Sequence, residues 1–309
     1  MNITVVMYHY VRPIKNSTYP GIKGLELSKF IRQLEYIEEK YSVISAANLV
    51  KASKGDFDLP ENPILLTFDD GYIDHFKYVL PELLKCKFTG LFFPPKVAVC
   101  QRKVLDVNKI HFILEACHEK QQLIKDIEDE ISKGPSSNYK SIEQYRKEFY
   151  KPNRYDNSNI NYIKRMLQTG LPATSRETII ENLFTKYVSK DETEFADNLY
   201  VSESNLKEML DCGMEIGSHG DMHPWLNKIT KKQQYNDIYN SIDMLKRIGV
   251  NKKELYFCYP YGGYNQDSID ILKDLGFSAA FTTKPSVYNF NESSIFEIPR
   301  YDTNDIPLN

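Results

Sequence analysis

The chain has 309 residues, 41% hydrophobic and 26% charged, with a formal net charge of -3. This is enough for one large domain or two medium ones with a real core, in a balance ordinary for a globular protein. The near-neutral charge points to neither a nucleic-acid-binding surface nor a strongly acidic tail.

Five cysteines (86, 100, 117, 212 and 258) lie far apart with no C-x-x-C, which argues against a disulfide framework and a cysteine zinc site and fits a reducing compartment. The opening MNITVVMYHYV has no basic region before its short, β-branched apolar stretch, so it does not read as a signal peptide. No apolar run approaches the ~20 residues that span a bilayer. The expected location is cytoplasmic, with peripheral contact at the inner face of the membrane left open. Oligomeric state is not legible.

NITVVMY, residues 2–8, reads as a buried strand ending at His9. Leu27, Phe30, Ile31, Leu34 and Ile37 recur at helical spacing and predict a helix over 26–41. YSVIS reads as a short strand and AANLVKA as a short helix. Pro63–Thr67 is the next strand, followed by a helix over Tyr72–Lys85. FTGLFFPP is a strand stopped by Pro94 and Pro95. Strand and helix alternate, the pattern of an α/β protein with parallel strands.

From 97 to 200 the composition shifts to Lys, Glu, Asn and Tyr, with helical periods at 108–132, 141–149, 159–168 and 175–188 and a polar loop at 150–160. This reads as a helical insertion. The α/β pattern resumes at Val201, with a helix capped by Ser202 and stopped by Gly213. MEIGSHG reads as a strand, 230–248 as an amphipathic helix with Thr230 as its cap, and ELYFCYPYG as a strand. A helix over 266–275 ended by Gly276, a strand at SAAFTT and a last strand at IFEIPRYD complete the chain. Unusual polar residues end these segments: His9, Asp69 and Asp70, Ser218 and His219, and Arg300. Parallel-strand proteins keep their function at the C-terminal strand ends.

In LLTFDDGYIDHF, residues 65–76, two adjacent acids follow a buried apolar run. Neighbouring buried carboxylates are costly unless something neutralises them. GSHGDMHPWL, residues 217–226, places His219 and His223 four apart, facing one side if the chain turns helically. Two histidines and a carboxylate suit a divalent transition metal with open positions for water and substrate. Asp70 or Asp69 completes the triad. The other carboxylate remains ionised as a general base on water. Separately, an H-x3-H pair is most often a pair of surface or core histidines and an Asp-Asp-Gly a turn or a helix N-cap; together at strand ends they point to a site.

LLTFDDGY and EIGSHGDMHPWL resemble the first two motifs of the polysaccharide deacetylase, or NodB-homology, family, and FCYPYGGYN resembles the third. The resemblance covers 1–96 and 201–309. It implies a distorted (β/α) barrel of seven strands carrying the inserted helical subdomain, 97–200. It implies Asp70, His219 and His223 as metal ligands, Asp69 as catalytic base and the backbone N–H of Tyr261 as oxyanion donor. The implied ion is Zn2+, with Co2+, Ni2+ or Mn2+ as alternatives. The reaction is removal of an N-acetyl group from an amino sugar, in a glycan or a sugar precursor. Hydrolysis of another C–N bond (an N-formyl sugar or a cyclic imide or ureide) and non-catalytic glycan binding are the rival readings.

Many family members take their general acid from a histidine near the C-terminus, but no histidine follows His223 here. MYHYV resembles the N-terminal motif of the poly-N-acetylglucosamine deacetylase branch, which assigns the acid to His9. His75 reads as a surface or lining residue of its helix. The third motif ordinarily has an arginine two residues before its proline, where this chain has Cys258. Arg300 is the candidate to orient Asp69 in its place, or else a structural partner of Asp302; Arg12 is a weaker candidate. Gly220 stands where the family often has Ser or Thr, a change expected to be tolerated because the position supplies no ligand atom.

Overall fold

The structure is a computed structural model, and it describes residues 2–133, 139–153, 156–289 and 291–307. Arg154 and Tyr155 of the polar 150–160 loop lie outside the described residues.

Asn2–Tyr8, an apolar run rich in β-branched residues, pairs in parallel with Pro63–Asp69 from Thr4 opposite Ile64 to Tyr8 opposite Phe68. Pro63–Asp69 pairs with Leu91–Phe93, which pairs with Glu215–Ile216, again in parallel. Two residues on, Ser218 bridges to Phe257 of the strand Tyr256–Cys258, which lies parallel to Ala279–Phe281. Phe281 bridges Ile298, and Tyr301–Asp302 returns to pair in parallel with Val6 and Met7. The seven segments therefore close on themselves. Several are only two or three residues long and join through single bridges, which is the distortion of this (β/α) barrel.

Every residue of Pro63–Asp69 is buried, as expected of a parallel strand covered on both faces. Alternation sends its side chains two ways. Ile64, Leu66 and Phe68 join Val6, Tyr8 and Phe257 in a core with the flanking helices, including Phe30, Leu34, Leu206, Ile238 and Leu245. Leu65 joins Val5, Leu91, Phe93, Tyr256, Cys258, Phe281 and Ile298 in a second cluster. Thr67 and Asp69 share the parity of Leu65, so the strand's register turns Asp69 toward the barrel interior.

Helix starts follow their caps. Ser202 and Thr230 open Glu203–Asp211 and Lys231–Ile248 with reciprocal capping boxes, and Gly249 closes the latter in a left-handed conformation (φ 101°). Two expectations need correction. The Tyr72–Lys85 helix is a π-helical turn, His75–Val79, leading into Leu80–Cys86. The 108–132 period breaks at Cys117 into Asp106–Ala116 and Lys120–Lys133.

The chain divides into two compact units: Met1–Lys15, Lys23–Lys103 and Ala196–Asn309 form one, Asn16–Ile22 and Val104–Phe195 the other. These limits differ from 97–200. Arg102 binds the carbonyls of Ala196, Tyr200 and Val201 and the carboxylate of Asp197, which ties both ends of the expected insertion into the barrel unit. Within the helical unit, Tyr19 packs edge-on against Phe112 and Phe195, and Gly21 N–H donates to Glu115. The buried Lys109 ammonium there pairs with Glu181 and Glu192. No helix among the described residues is long and apolar enough to cross a membrane.

Candidate active site

The motif residues meet at the C-terminal ends of the barrel strands. Asp69 ends its strand; Asp70 then adopts a left-handed backbone (φ 69°), followed by Gly71 (φ 65°). That reversal turns the two neighbouring carboxylates to different partners. A Cβ at Gly71 would lie 2.8 Å from Pro94 Cβ, so the turn needs glycine for space as well as for φ. His223 and Tyr261 are also left-handed (φ 58° each). Strained backbone of this kind persists where surrounding structure over-determines it, commonly at functional sites.

Asp70 Oδ1 lies 3.5 Å from His219 Nε2 and 3.4 Å from His223 Nε2, all three residues being buried. Asp70 Oδ2 accepts the Tyr72 hydroxyl at 2.7 Å, which leaves Oδ1 as the outward oxygen. His219 Nδ1 is 2.8 Å from the Cys258 carbonyl; a carbonyl only accepts, so Nδ1 carries the proton and the Nε2 lone pair faces Asp70. Burial pushes the His219 imidazole down to about 4, the neutral form a metal requires. Burial pushes the Asp70 carboxyl up, but the hydrogen bond and charge of His223, with His9 and His219 behind them, hold it well below the usual carboxylate range.

The three donor atoms lie within 4.8 Å of one another. One carboxylate oxygen and two imidazole nitrogens, one with its tautomer set by a carbonyl, fit a divalent ion such as zinc. The H-x3-H pair does not sit on a helix as the spacing suggested: no helix spans 219–223, and the loop is shaped from beneath by Asp237. Asp237 accepts from the backbone N–H groups of Asp221 and Met222 at 3.2 and 2.7 Å. A Cβ at Gly220 (φ 82°) would lie 2.3 Å from Asp237 Oδ2. Glycine is therefore demanded at 220 by both backbone and space.

Asp69 has a separate environment. Arg300 Nη1 and Nη2 donate to its Oδ1 and Oδ2 at 2.8 and 2.7 Å, a bidentate pair 231 residues apart in sequence. Arg300 Nε donates to the Thr282 carbonyl and Nη1 also to Thr67 Oγ1, so the guanidinium is held on three sides. Cys258 Sγ sits 3.0 Å from Arg300 Nη2 and 3.4 Å from Asp69 Oδ2. Arg300 is thus on Asp69, while Asp302 caps the 3-10 turn Thr303–Asp305, and Arg12 pairs with Asp74. Burial pushes the Asp69 carboxyl up, but the charge and hydrogen bonds of Arg300, then His219 and His9, bring it down to about 2.

His9, half-buried after the first strand, acts electrostatically on both Asp69 and Asp70. Tyr261 stacks on Trp225 with ring centroids 4.6 Å apart and meets the His223 ring at the same distance. His75 is not a surface residue: it is 1% exposed, with Nε2 2.9 Å from the His9 carbonyl. Helical spacing carried the signal for that: His75 falls on one stripe with Tyr72, Val79 and Leu83, all of them buried.

A buried Asp-His-His donor set that could hold a metal ion thus lies beside a second, arginine-held aspartate at the C-terminal strand ends of a (β/α) barrel. The family model described as polysaccharide deacetylase matches residues 177–280. A Bacillus subtilis (strain 168) protein, YxkH, named only as a candidate polysaccharide deacetylase, is 28% identical over 86 residues, 28% of this chain and 30% of that protein's length. The fold is shared with the Streptococcus pyogenes deacetylase PplD, solved with acetate (TM-score 0.59, 15% identity, 98% of this chain and 92% of that one). It is shared equally with a de-N-acetylase from Aggregatibacter actinomycetemcomitans (0.58, 17%, 97% and 94%). IcaB from Ammonifex degensii is a further match (0.57, 18%, 97% and 93%). In its motifs, in the family model over 177–280 and in its fold, the chain is similar to polysaccharide deacetylases.

Proposed function

We propose that this protein is a metal-dependent hydrolase that removes an N-acetyl group from an amino sugar, in a surface glycan or its precursor. The observation that carries the reading is the convergence of Asp70 Oδ1, His219 Nε2 and His223 Nε2 beside the Arg300-held Asp69. A divalent ion at that donor set supplies Lewis-acid polarisation of an acyl carbonyl and acidifies water.

The protein's own residues divide the remaining work. Asp69 takes a proton from the water that adds to the acetamide carbon. With its carboxyl at about 2, Asp69 is ionised throughout the physiological range but is a weak base, so it suits water that has already been acidified. Arg300 keeps the carboxylate charged and aimed. The backbone N–H of Tyr261 donates to the oxygen that gains charge. His9 gives a proton to the amine nitrogen as the C–N bond breaks, leaving acetate and a free amine. The Tyr261 and Trp225 rings offer a stacked aromatic wall next to His223 for a sugar ring.

The test is acetate release from N-acetylglucosamine oligomers and from N-acetyl and N-formyl precursor sugars, with zinc or cobalt added. Release of acetate that disappears in Asp69→Asn with metal content retained supports the reading. Formate release alone would move it to the formamide class, and metal-replete protein inert on every member would overturn it.

A further inference from the structure

The residues after the Asp-Asp-Gly turn hold the turn that carries His9. His75 Nε2 lies 2.9 Å from the His9 carbonyl, so that nitrogen carries the proton and donates. Its Nδ1 is buried with no hydrogen-bond partner among the described residues, which agrees with a bare, unprotonated nitrogen. The ring is enclosed by Phe68, Tyr72 and Phe92, with centroids 5.6, 5.7 and 5.6 Å away. Burial pushes the imidazole down to about 4, so it stays neutral.

The neighbouring Asp74 grips the same turn two residues further on. Its carboxylate accepts Arg12 Nε at 2.6 Å and the backbone N–H of Val11. Tyr72, one turn earlier, stacks on Tyr10 at 4.0 Å while donating to Asp70. His75 opens a π-helical turn, His75–Val79, and such turns recur at functional sites.

We propose that His75 is a positioning residue for His9: its Nε2–H fixes the backbone of the His9 turn relative to Asp70, and so sets where the His9 imidazole meets the leaving amine. This rests on the assignment of His9 as general acid. A buried neutral imidazole in an aromatic cage is a rigid donor, and misplacement of a catalytic group by about 1 Å costs on the order of a hundredfold in rate.

The experiment is a double-mutant cycle on the metal-loaded enzyme. His75→Phe keeps a ring in the cage and removes the donor; His75→Gln restores an amide N–H at nearly the same reach. The expected result is a fall in kcat of about ten- to a hundredfold for His75→Phe, with KM and metal content unchanged and most of the loss recovered in His75→Gln. In a His9→Ala background, His75→Phe should change kcat by less than about twofold, because its effect acts through His9. The full fall persisting in that background, or kcat unchanged in His75→Phe, would overturn the proposal. If His75→Phe does not fold, His75→Asn, whose amide is too short, replaces it against His75→Gln, and equal rates for those two would count against the proposal. His9→Ala at the wild-type rate would instead sink the general-acid assignment itself.

Discussion

Arg300 grips both carboxylate oxygens of Asp69, at 2.8 and 2.7 Å, and reaches it from the segment leading into the last strand, on the other side of the first strand. The third-motif position that would ordinarily hold this arginine is Cys258, whose thiol lies against the same guanidinium. In this chain the guanidinium on Asp69 comes from the segment before the last strand, with the Cys258 thiol beside it.

Replacing Arg300 with Met should both weaken and disable the protein. Asp69 would be left buried without a partner, a change that typically costs about 3–5 kcal/mol. The sign of the pH effect follows from the same balance. Burial raises the Asp69 carboxyl and Arg300 lowers it to about 2, so without Arg300 the carboxyl rises. The base is then protonated at higher pH, and the acid limb of kcat/KM should move upward. Arg300→Lys should give a smaller shift. Urea unfolding and pH–rate profiles measure the two effects; an unmoved acid limb with lowered activity would contradict this account of Arg300.

Tyr72→Phe removes the hydroxyl that occupies Asp70 Oδ2. Outer partners of metal ligands are commonly worth about 10–100-fold in affinity. Weaker zinc binding of that order is expected in a chelator competition, with the stack on Tyr10 and thermal stability largely kept.

Gly220→Ala should damage the metal loop although residue 220 supplies no ligand. The left-handed backbone alone costs a side chain about 1–2 kcal/mol, and the new Cβ would press on the Asp237 carboxylate that holds Asp221 and Met222. Lower zinc affinity and a lower Tm should appear together, where Gly213→Ala, with nothing within 4 Å of its Cβ but a similar φ of 84°, should lower Tm alone.

Chelation should abolish turnover reversibly. A ligand that binds only the folded protein stabilises it by about 2.7 kcal/mol at a hundredfold excess over Kd. Tm should therefore climb with added zinc in wild type and in Asp69→Asn, but hardly in His223→Ala, as differential scanning fluorimetry would show.

Local chemistry determined much of this protein from the sequence by itself. Buried strands such as Asn2–Tyr8 and Pro63–Asp69, and helices opened by Ser202 and Thr230, depend on neighbours a few residues away, so their patterns can be read directly. The two histidines and a neighbouring aspartate, Asp69 or Asp70, were legible as residue types in motifs, while the choice of Asp70 and the closed seven-segment barrel followed from the family those motifs resemble. Tertiary structure alone decided the pairings. Whether Arg300 met Asp69 or Asp302 depended on the first strand pairing with the last strand on one side and with Pro63–Asp69 on the other. That the His75 ring meets the His9 carbonyl depended on which strand end the fold laid beside that helix. Segment 16–22 joined the helical unit through Tyr19 and Gly21, contacts about ninety residues or more away in sequence. Burial and charge pairing are properties of the closed fold, and a side chain's chemistry does not name its partner until the chain has brought the two together.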